Sequence, residues 1–123
     1  MNSLIGYGPF NLYPGYMHFQ KVSSFRNPSG IYLLLDEHAD TITTPWIPTS
    51  PNLQGTKWDY LPASYHGGAG GLSFADGHTE SHTWQLATTK KAITFGSDKA
   101  DISFPPLSNP DYLWLAQRTS LHE

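Results

Sequence analysis

The chain of 123 residues contains no cysteine, so it has no disulfide framework, no thiol nucleophile and no cysteine-based metal site. Charged residues make up only 14% of it, the net charge is −3 and no basic run occurs. This balance argues against a nucleic-acid-binding surface. No stretch approaches the roughly 18 apolar residues of a membrane span, and no basic segment followed by an apolar run marks a signal peptide. We therefore expect no membrane contact by this fragment.

Aromatic residues and turn formers are abundant instead. Aromatics make up 14% of the chain, which also holds 11 glycines and 10 prolines. A disordered chain would be highly charged and poor in aromatics. We predict one α+β domain over residues 1–123, with an antiparallel β-sheet, long loops, a short C-terminal helix and a core rich in aromatic rings.

Three strands are expected, near residues 31–36, 71–76 and 78–84. The apolar run 31–35 predicts a central strand covered on both faces. The proline-rich segment 39–57 predicts a long loop, and residues 85–93 have weak helical character. Residues 111–118 predict the C-terminal helix, capped by Asn109 or Asp111 and docked through Leu113, Trp114 and Gln117.

The strongest local signal is Asp76-Gly77, which is typical of a two-residue hairpin turn of type I′. This turn puts Leu72 and Phe74 on the inner face with Thr79 and Ser81. Its outer face would carry Gly71, Ser73, Ala75, His78, Glu80 and His82. The facing pairs would be Ala75 with His78, Phe74 with Thr79, Ser73 with Glu80, and Leu72 with Ser81.

One spacing here is specific: nine residues separate His66 from Asp76-Gly77, within the segment FADGHTE. It resembles the signature of the prepilin-type processing-associated H-X9-DG domain, a family similar to type II secretion pseudopilins and type IV pilins. Further segments resemble that family in order along the chain: Tyr7-Gly8 with a displaced Asn11, Asn27-Pro28-Ser29, Leu34-Leu35-Asp36-Glu37, Pro62, Asn109-Pro110-Asp111, Trp114-Leu115 and Arg118-Thr119.

The resemblance implies a pilin-like globular domain and a non-enzymatic structural subunit of a cell-surface or secretion-associated filament. It also implies an extracellular or cell-surface location, with other pilin-like subunits or secretion-system components as partners. The family's basic leader and long N-terminal assembly helix are not found in this sequence, so we expect the chain to be the globular part alone.

The motif residues His66, Asp76 and Gly77 have two interpretations. In the first they are architectural, with Asp76 and Gly77 forming the turn and His66 bonding to the backbone or to Asp76. In the second, His66 and Asp76 belong to a metal or ligand site. Alternation along the next strand also makes His78, Glu80 and His82 candidate zinc ligands. The outer two would lie about 13 Å apart, which favours one histidine with Glu80, and the alternative is a polar face in contact with water.

A candidate calcium site is formed by the acidic cluster Asp36, Glu37, His38 and Asp40. Some major pseudopilins bind calcium, so the resemblance favours this ion as the possible cofactor. Across these clusters, the residues favoured as metal ligands are Asp36, Glu37, Asp76, His78 and Glu80. The alternative for the acidic cluster is a strand end that faces water, or Asp36 bonding to the neighbouring hairpin.

No catalytic constellation stands out, because a Gly-x-Ser-x-Gly elbow, a helical HExxH and a phosphate loop are all missing. We therefore expect no enzymatic activity and assign no catalytic residue. Two alternatives stay open. One is an extracellular glycan- or metal-binding module, with Trp46, Trp58 and Tyr60 as a stacking platform for sugars or as core residues. The other is a metal-dependent hydrolase using His66, His78 and Glu80.

Overall fold

The computed structural model describes residues 1–6, 12–96 and 102–123. Tyr7, Gly8 and Asn11 of the resemblance lie outside the described residues. These residues contain five strands: β1 (Tyr32–Leu35), β2 (Lys57–Trp58), β3 (Ala69–Phe74), β4 (Thr79–Thr83) and β5 (Ile102–Ser103). Helix α1 (Pro110–Ala116) follows β5, and short 3-10 turns lie at Val22–Ser24 and Pro28–Gly30 before β1 and at Ala39–Thr41 after it. The predicted α+β fold with antiparallel sheets and a short C-terminal helix is confirmed. No helix in the described part of the chain has the length and apolarity needed to span a membrane.

The principal sheet has three antiparallel strands in the order β1-β3-β4. The central strand is therefore β3, and the prediction that the apolar run 31–35 is central was wrong. A bulge between Tyr32 and Leu34 rotates β1, so Tyr32 and Leu35 are buried while Leu34 is 56% exposed. β1 is thus an edge strand that other chain segments cover, and this explains its continuous apolar run. In the first of these segments Asn2 N donates to Leu33 O.

A smaller sheet pairs β2 with β5 and follows the proline-rich loop. The predicted loop over 39–57 is present up to residue 56, with one 3-10 turn at Ala39–Thr41, and Lys57 begins β2. Residues 85–93 form turns, including hydrogen bonds from Thr89 N and Lys90 N to Leu86 O, and no helix. Gln85 N and Leu86 N donate to the Asp111 carboxylate instead, and these contacts outweigh the weak helical pattern of the segment.

Aromatic rings dominate the core, as the composition predicted. The inner face of the principal sheet packs against β2, α1 and the loops, and Trp58, Trp84 and Tyr32 are each at most 2% exposed. Trp58 meets Tyr112 of α1 edge to face, with centroids 5.0 Å apart. The cluster consists of Tyr32, Leu35, Ile47, Trp58, Leu61, Leu72, Phe74, Trp84, Tyr112, Leu115 and Ala116.

Helix α1 begins as its sequence predicts. Asn109 is the N-cap, and its side chain accepts a hydrogen bond from Tyr112 N at 2.9 Å, while Pro110 occupies the first turn. Of the predicted docking residues, Trp114 packs against the core, but Gln117 does not and the face as a whole was predicted wrongly. The buried face is Asp111, Tyr112, Leu115 and Ala116, whereas Gln117 is exposed and Leu113 and Trp114 are half-buried. Asp111 takes part because its carboxylate accepts from Gln85 N and Leu86 N at 2.8 and 2.9 Å.

A single buried amide joins the first residues to both the sheet and the helix end. Asn2 is fully buried. Its Nδ2 donates to Tyr32 O at 2.9 Å and to Thr119 O at 2.8 Å, and its Oδ1 accepts from Leu4 N at 3.0 Å. Three backbone groups from separate segments thus depend on one side chain, because buried polar groups without partners are costly.

We predict that Asn2→Ala lowers the free energy of unfolding by about 2–4 kcal/mol, because it leaves three buried backbone groups without partners. Urea denaturation followed by tryptophan fluorescence measures the change. Gln54→Ala, at an exposed position, is the control and should stay within about 0.5 kcal/mol of the wild type. Equal stability of the two variants would contradict the role assigned to Asn2.

Candidate functional site

The nine-residue spacing of the His66 motif corresponds to one strand and its two turns. His66 precedes Gly67-Gly68, whose φ values are +63° and +89°, the positive pair that a type I′ turn requires. His66 N donates to Ala69 O and Ala69 N to His66 O, at 3.3 and 3.2 Å, which closes that turn. The six residues of β3 follow, and Asp76-Gly77 comes after them. The motif therefore measures the length of the central strand.

The Asp76-Gly77 loop has three residues rather than two. Phe74 N donates to His78 O at 2.9 Å and Gly77 N to Phe74 O at 3.0 Å, and of the loop residues only Gly77 has positive φ, +91°. This is a type I turn followed by a residue in the left-handed region, the usual three-residue hairpin loop. The predicted positive φ at Gly77 is confirmed, and the predicted two-residue I′ turn was wrong.

The longer loop shifts the register by one residue. Ser73 pairs with Thr79, Leu72 with Glu80, Gly71 with Ser81 and Gly70 with His82. Paired residues share a face of the sheet. The shift therefore puts each side chain of β4 on the face opposite to the predicted one. His78, Glu80 and His82 lie on the face of Leu72 and Phe74, while Thr79 and Ser81 lie on the opposite face with Gly71 and Ser73.

His78 lies between two carboxylates at the turn. Its Nδ1 is 2.5 Å from Asp76 Oδ1, which also accepts from His78 N at 3.1 Å, and its Nε2 is 3.8 Å from Glu80 Oε2. The ring stacks on Phe74 with centroids 4.3 Å apart. Hydrogen bonds from the backbone and ring of His78 hold the pKa of Asp76 below its ordinary value. The arrangement orients an imidazole and stabilises the loop.

The candidate metal ligands divide into two groups. Asp76, His78 and Glu80 lie at the hairpin turn, while Asp36 and Glu37 lie at the end of β1. Asp36 Oδ2 accepts from Gly71 N at 3.3 Å, and Glu37 Oε1 accepts from Thr41 Oγ1 at 3.3 Å. Within residues 1–6, 12–96 and 102–123, no three His, Asp or Glu side chains are grouped so that they could hold a metal ion.

His38 and Asp40, the other two members of the predicted calcium cluster, hydrogen-bond to backbone groups. His38 is fully buried. Its Nδ1 accepts from Asp40 N at 3.2 Å, so Nε2 carries the proton and donates to Lys91 O at 2.9 Å. Asp40 accepts from Thr94 N, Thr94 Oγ1 and Phe95 N at 2.8 to 2.9 Å, and the Thr94 backbone bond is the main cause of its lowered pKa. This pair fastens loop 91–95 to the end of β1.

The proposed hydrolase set is not assembled. His66 lies before β3 and His78 lies after it, so β3, about 20 Å long at 3.3 Å per residue, separates them. His66 and Glu80 do line one broad groove on the principal sheet, with Asp36, Gly71, Ser73, Thr79 and Ser81 among its other lining residues. The interpretation in which His66 hydrogen-bonds Asp76 was wrong, because the length of β3 also separates these two residues.

His82 belongs to an aromatic stack that sequence reasoning missed. Its ring lies on Trp114 of α1, with centroids 3.6 Å apart and planes 14° apart, and meets Trp84 edge to face at 4.7 Å. Arg118 lies over the other face of Trp114, with its guanidinium carbon 3.9 Å from the ring centre. Burial lowers the pKa of His82 and favours the neutral imidazole. Trp84 and Trp114 were visible in the sequence, but they are 30 positions apart and no local pattern brings them together.

A polar cleft of about 270 Å³ opens beside this stack. Glu80 and Arg118 both line it, together with Asn27, Ser29, Gly30, Phe74 and Gln117. Among the described residues Glu80 forms an ion pair only with His78, so no ion pair joins the two opposite charges across the cleft. The cleft brings together the turn before β1, strand β4 and the end of α1.

The three aromatics of the predicted sugar platform are separated by burial. Trp58 is 2% exposed and belongs to the core, which removes it from any platform. Trp46 is 42% exposed. Tyr60 borders a cavity of about 290 Å³ with Thr41, Thr43, Lys57 and Asp59, and its hydroxyl accepts from Thr43 Oγ1 at 3.3 Å.

Comparison with known proteins adds no assignment. No family model matches the chain. No curated protein is significantly similar to it. No solved structure is significantly similar to it either.

We predict that the Asp76→Asn variant loses less stability in acid than the wild type does. The folded-state pKa of Asp76 is below its ordinary value, so its carboxylate stabilises the fold above the unfolded-state pKa, and this contribution is lost as the pH falls through the folded-state pKa. Melting temperatures measured from about pH 5 to about pH 2 should fall less steeply in Asp76→Asn than in the wild type.

Asp59→Asn is the matched control for this experiment. The Asp59 carboxylate lies on the surface, 2.9 Å from Lys57 Nζ, and both side chains are about half exposed. Exposed pairs of this kind contribute little to stability. Its curve should parallel that of the wild type, and an Asp76→Asn curve that also does so would contradict the role of Asp76.

Proposed function

We propose that this chain is the globular part of a non-enzymatic, pseudopilin-like structural subunit of a cell-surface or secretion-associated filament. One observation carries the proposal: His66 and Asp76-Gly77, the residues of the specific motif, form the turns at the two ends of β3. A motif whose nine-residue spacing spans the central strand and parts of its two turns serves the architecture of the domain.

Other segments of the resemblance also serve the backbone. Asn27-Pro28-Ser29 forms the turn that precedes β1, with Gly30 N donating to Asn27 O at 3.1 Å. Asp36 accepts from Gly71 N of the central strand, and Asn109 caps α1. These motif residues thus fix a turn, a contact to the central strand and a helix end. We expect such roles in a structural subunit.

The two alternatives have less support. The glycan-binding platform loses Trp58 to the core and retains Trp46 and Tyr60. The hydrolase set is divided by β3, and its His78 is held between Asp76 and Glu80. The proposed subunit would work at the cell surface or outside the cell, with other pilin-like subunits or secretion-system components as partners.

The test uses the protein expressed from its native gene with an epitope tag, in cells with and without the prepilin peptidase. We expect the protein to sediment with sheared surface filaments, to label along them in immunoelectron microscopy, and to leave that fraction when the peptidase gene is deleted. A secreted monomeric enzyme of the same cells, equally tagged, is the control. A protein that stays with that enzyme in every fraction, unaffected by loss of the peptidase, would overturn the proposal.

A further inference from the structure

Strand β4 is an open edge of the principal sheet. It pairs with β3 on one side, and no other described residue hydrogen-bonds to the backbone of residues 79–83. Thr79, Glu80, Ser81 and Thr83 are exposed. The opposite edge, β1, is covered, because Asn2 N donates to Leu33 O and Tyr32 N to Arg118 O.

The backbone groups that face outward can be identified from the ladder. His78 O accepts from Phe74 N, and Trp84 N donates to Gly68 O, so the even-numbered residues of this segment direct their backbone groups toward β3. In an antiparallel pair these groups alternate in direction. The N–H and C=O of Thr79, Ser81 and Thr83 therefore point away from the sheet.

The sequence of β4 is symmetric in its chemistry. Read in either direction from Ser81, Thr-Glu-Ser-His-Thr gives a polar strand with threonine at both ends. An antiparallel copy centred on Ser81 would pair Thr79 with Thr83 and Ser81 with itself. This register matches all three outward N–H groups of each strand with outward C=O groups of the other.

The same register is favourable for the side chains. It places Glu80 of one copy opposite His82 of the other, on the face where Arg118 lies beside the Trp114–His82 stack. Threonine pairs such as Thr79 with Thr83 are stabilising across a strand pair. The strand also lacks the lysine, proline or bulge with which natural proteins protect an open edge.

We propose that β4 binds β4 of a second copy of this chain, antiparallel and centred on Ser81, to form a continuous six-stranded sheet. An interface of one short strand per copy is small, so the dimer is weak and depends on concentration. The inference is independent of the proposed filament function, because it rests on the open edge of β4 alone and is tested on the purified protein.

The register is tested by cysteine crosslinking, which a chain without cysteine allows cleanly. Thr79→Cys and Thr83→Cys, one of them carrying a size tag, are mixed and mildly oxidised. In the proposed register their Cα atoms lie about 5.5 Å apart, within disulfide range, whereas two copies of one variant place their cysteines about 13 Å apart. The mixed disulfide should therefore form several-fold faster than either homodisulfide, and Ser23→Cys, at an exposed position, should crosslink at the background rate.

A second variant tests the backbone pairing itself. Ser81→Pro removes an outward N–H and leaves the β3–β4 ladder intact, because proline is tolerated on edge strands. Analytical ultracentrifugation should show a wild-type dimer whose dissociation constant Ser81→Pro raises at least about tenfold, with circular dichroism unchanged. A wild type that stays monomeric at every soluble concentration, or a mixed disulfide that forms no faster than the homodisulfides, would overturn the proposal. The crosslinking result decides the matter if Ser81→Pro does not fold.

Discussion

The length of β3 is the constraint on which the rest of the structure depends. Two backbone turns limit the strand, one at Gly67-Gly68 and one at Ala75-Asp76-Gly77. Between them the strand must approach its neighbours closely. A Cβ at Gly70 would lie 2.6 Å from Ala63 O and 3.2 Å from Trp84 Nε1, so a glycine is required there. Because Trp84 also donates to Ala63 O at 2.8 Å, the central strand, the second hairpin strand and the preceding loop are fastened at one point.

The distribution of polar chemistry follows from that frame. Four aspartates accept hydrogen bonds from backbone N–H groups: Asp36 from β3, Asp40 from loop 91–95, Asp76 from its own turn and Asp111 from the segment after β4. These carboxylates satisfy backbone N–H groups that would otherwise need partners in a helix or a strand ladder. The result is a domain in which carboxylates hold loops in place.

The elements of this fold were predictable wherever a local signal determines them. The hairpin at Asp76-Gly77, the cap at Asn109 and the proline-rich loop each depend on a few adjacent residues. The register of the hairpin was not predictable, since Asp-Gly suits both a two-residue loop and a three-residue loop, and a difference of one residue exchanges the faces of β4. The buried face of α1 and the His82 stack depend on distant partners, as does the edge position of β1, so no local pattern could reveal them.

The most direct test of the account is to lengthen β3 by one residue. An alanine inserted between Leu72 and Ser73 changes the motif spacing from nine to ten residues, and an alanine inserted between the exposed Thr43 and Thr44 of the proline-rich loop is its control. If the spacing measures the central strand, the strand insertion abolishes cooperative thermal unfolding, because the side chains beyond it move to the wrong face, while the loop insertion leaves a cooperative transition near that of the wild type. A strand insertion that unfolds as cooperatively and at the same temperature as the loop insertion would contradict the account.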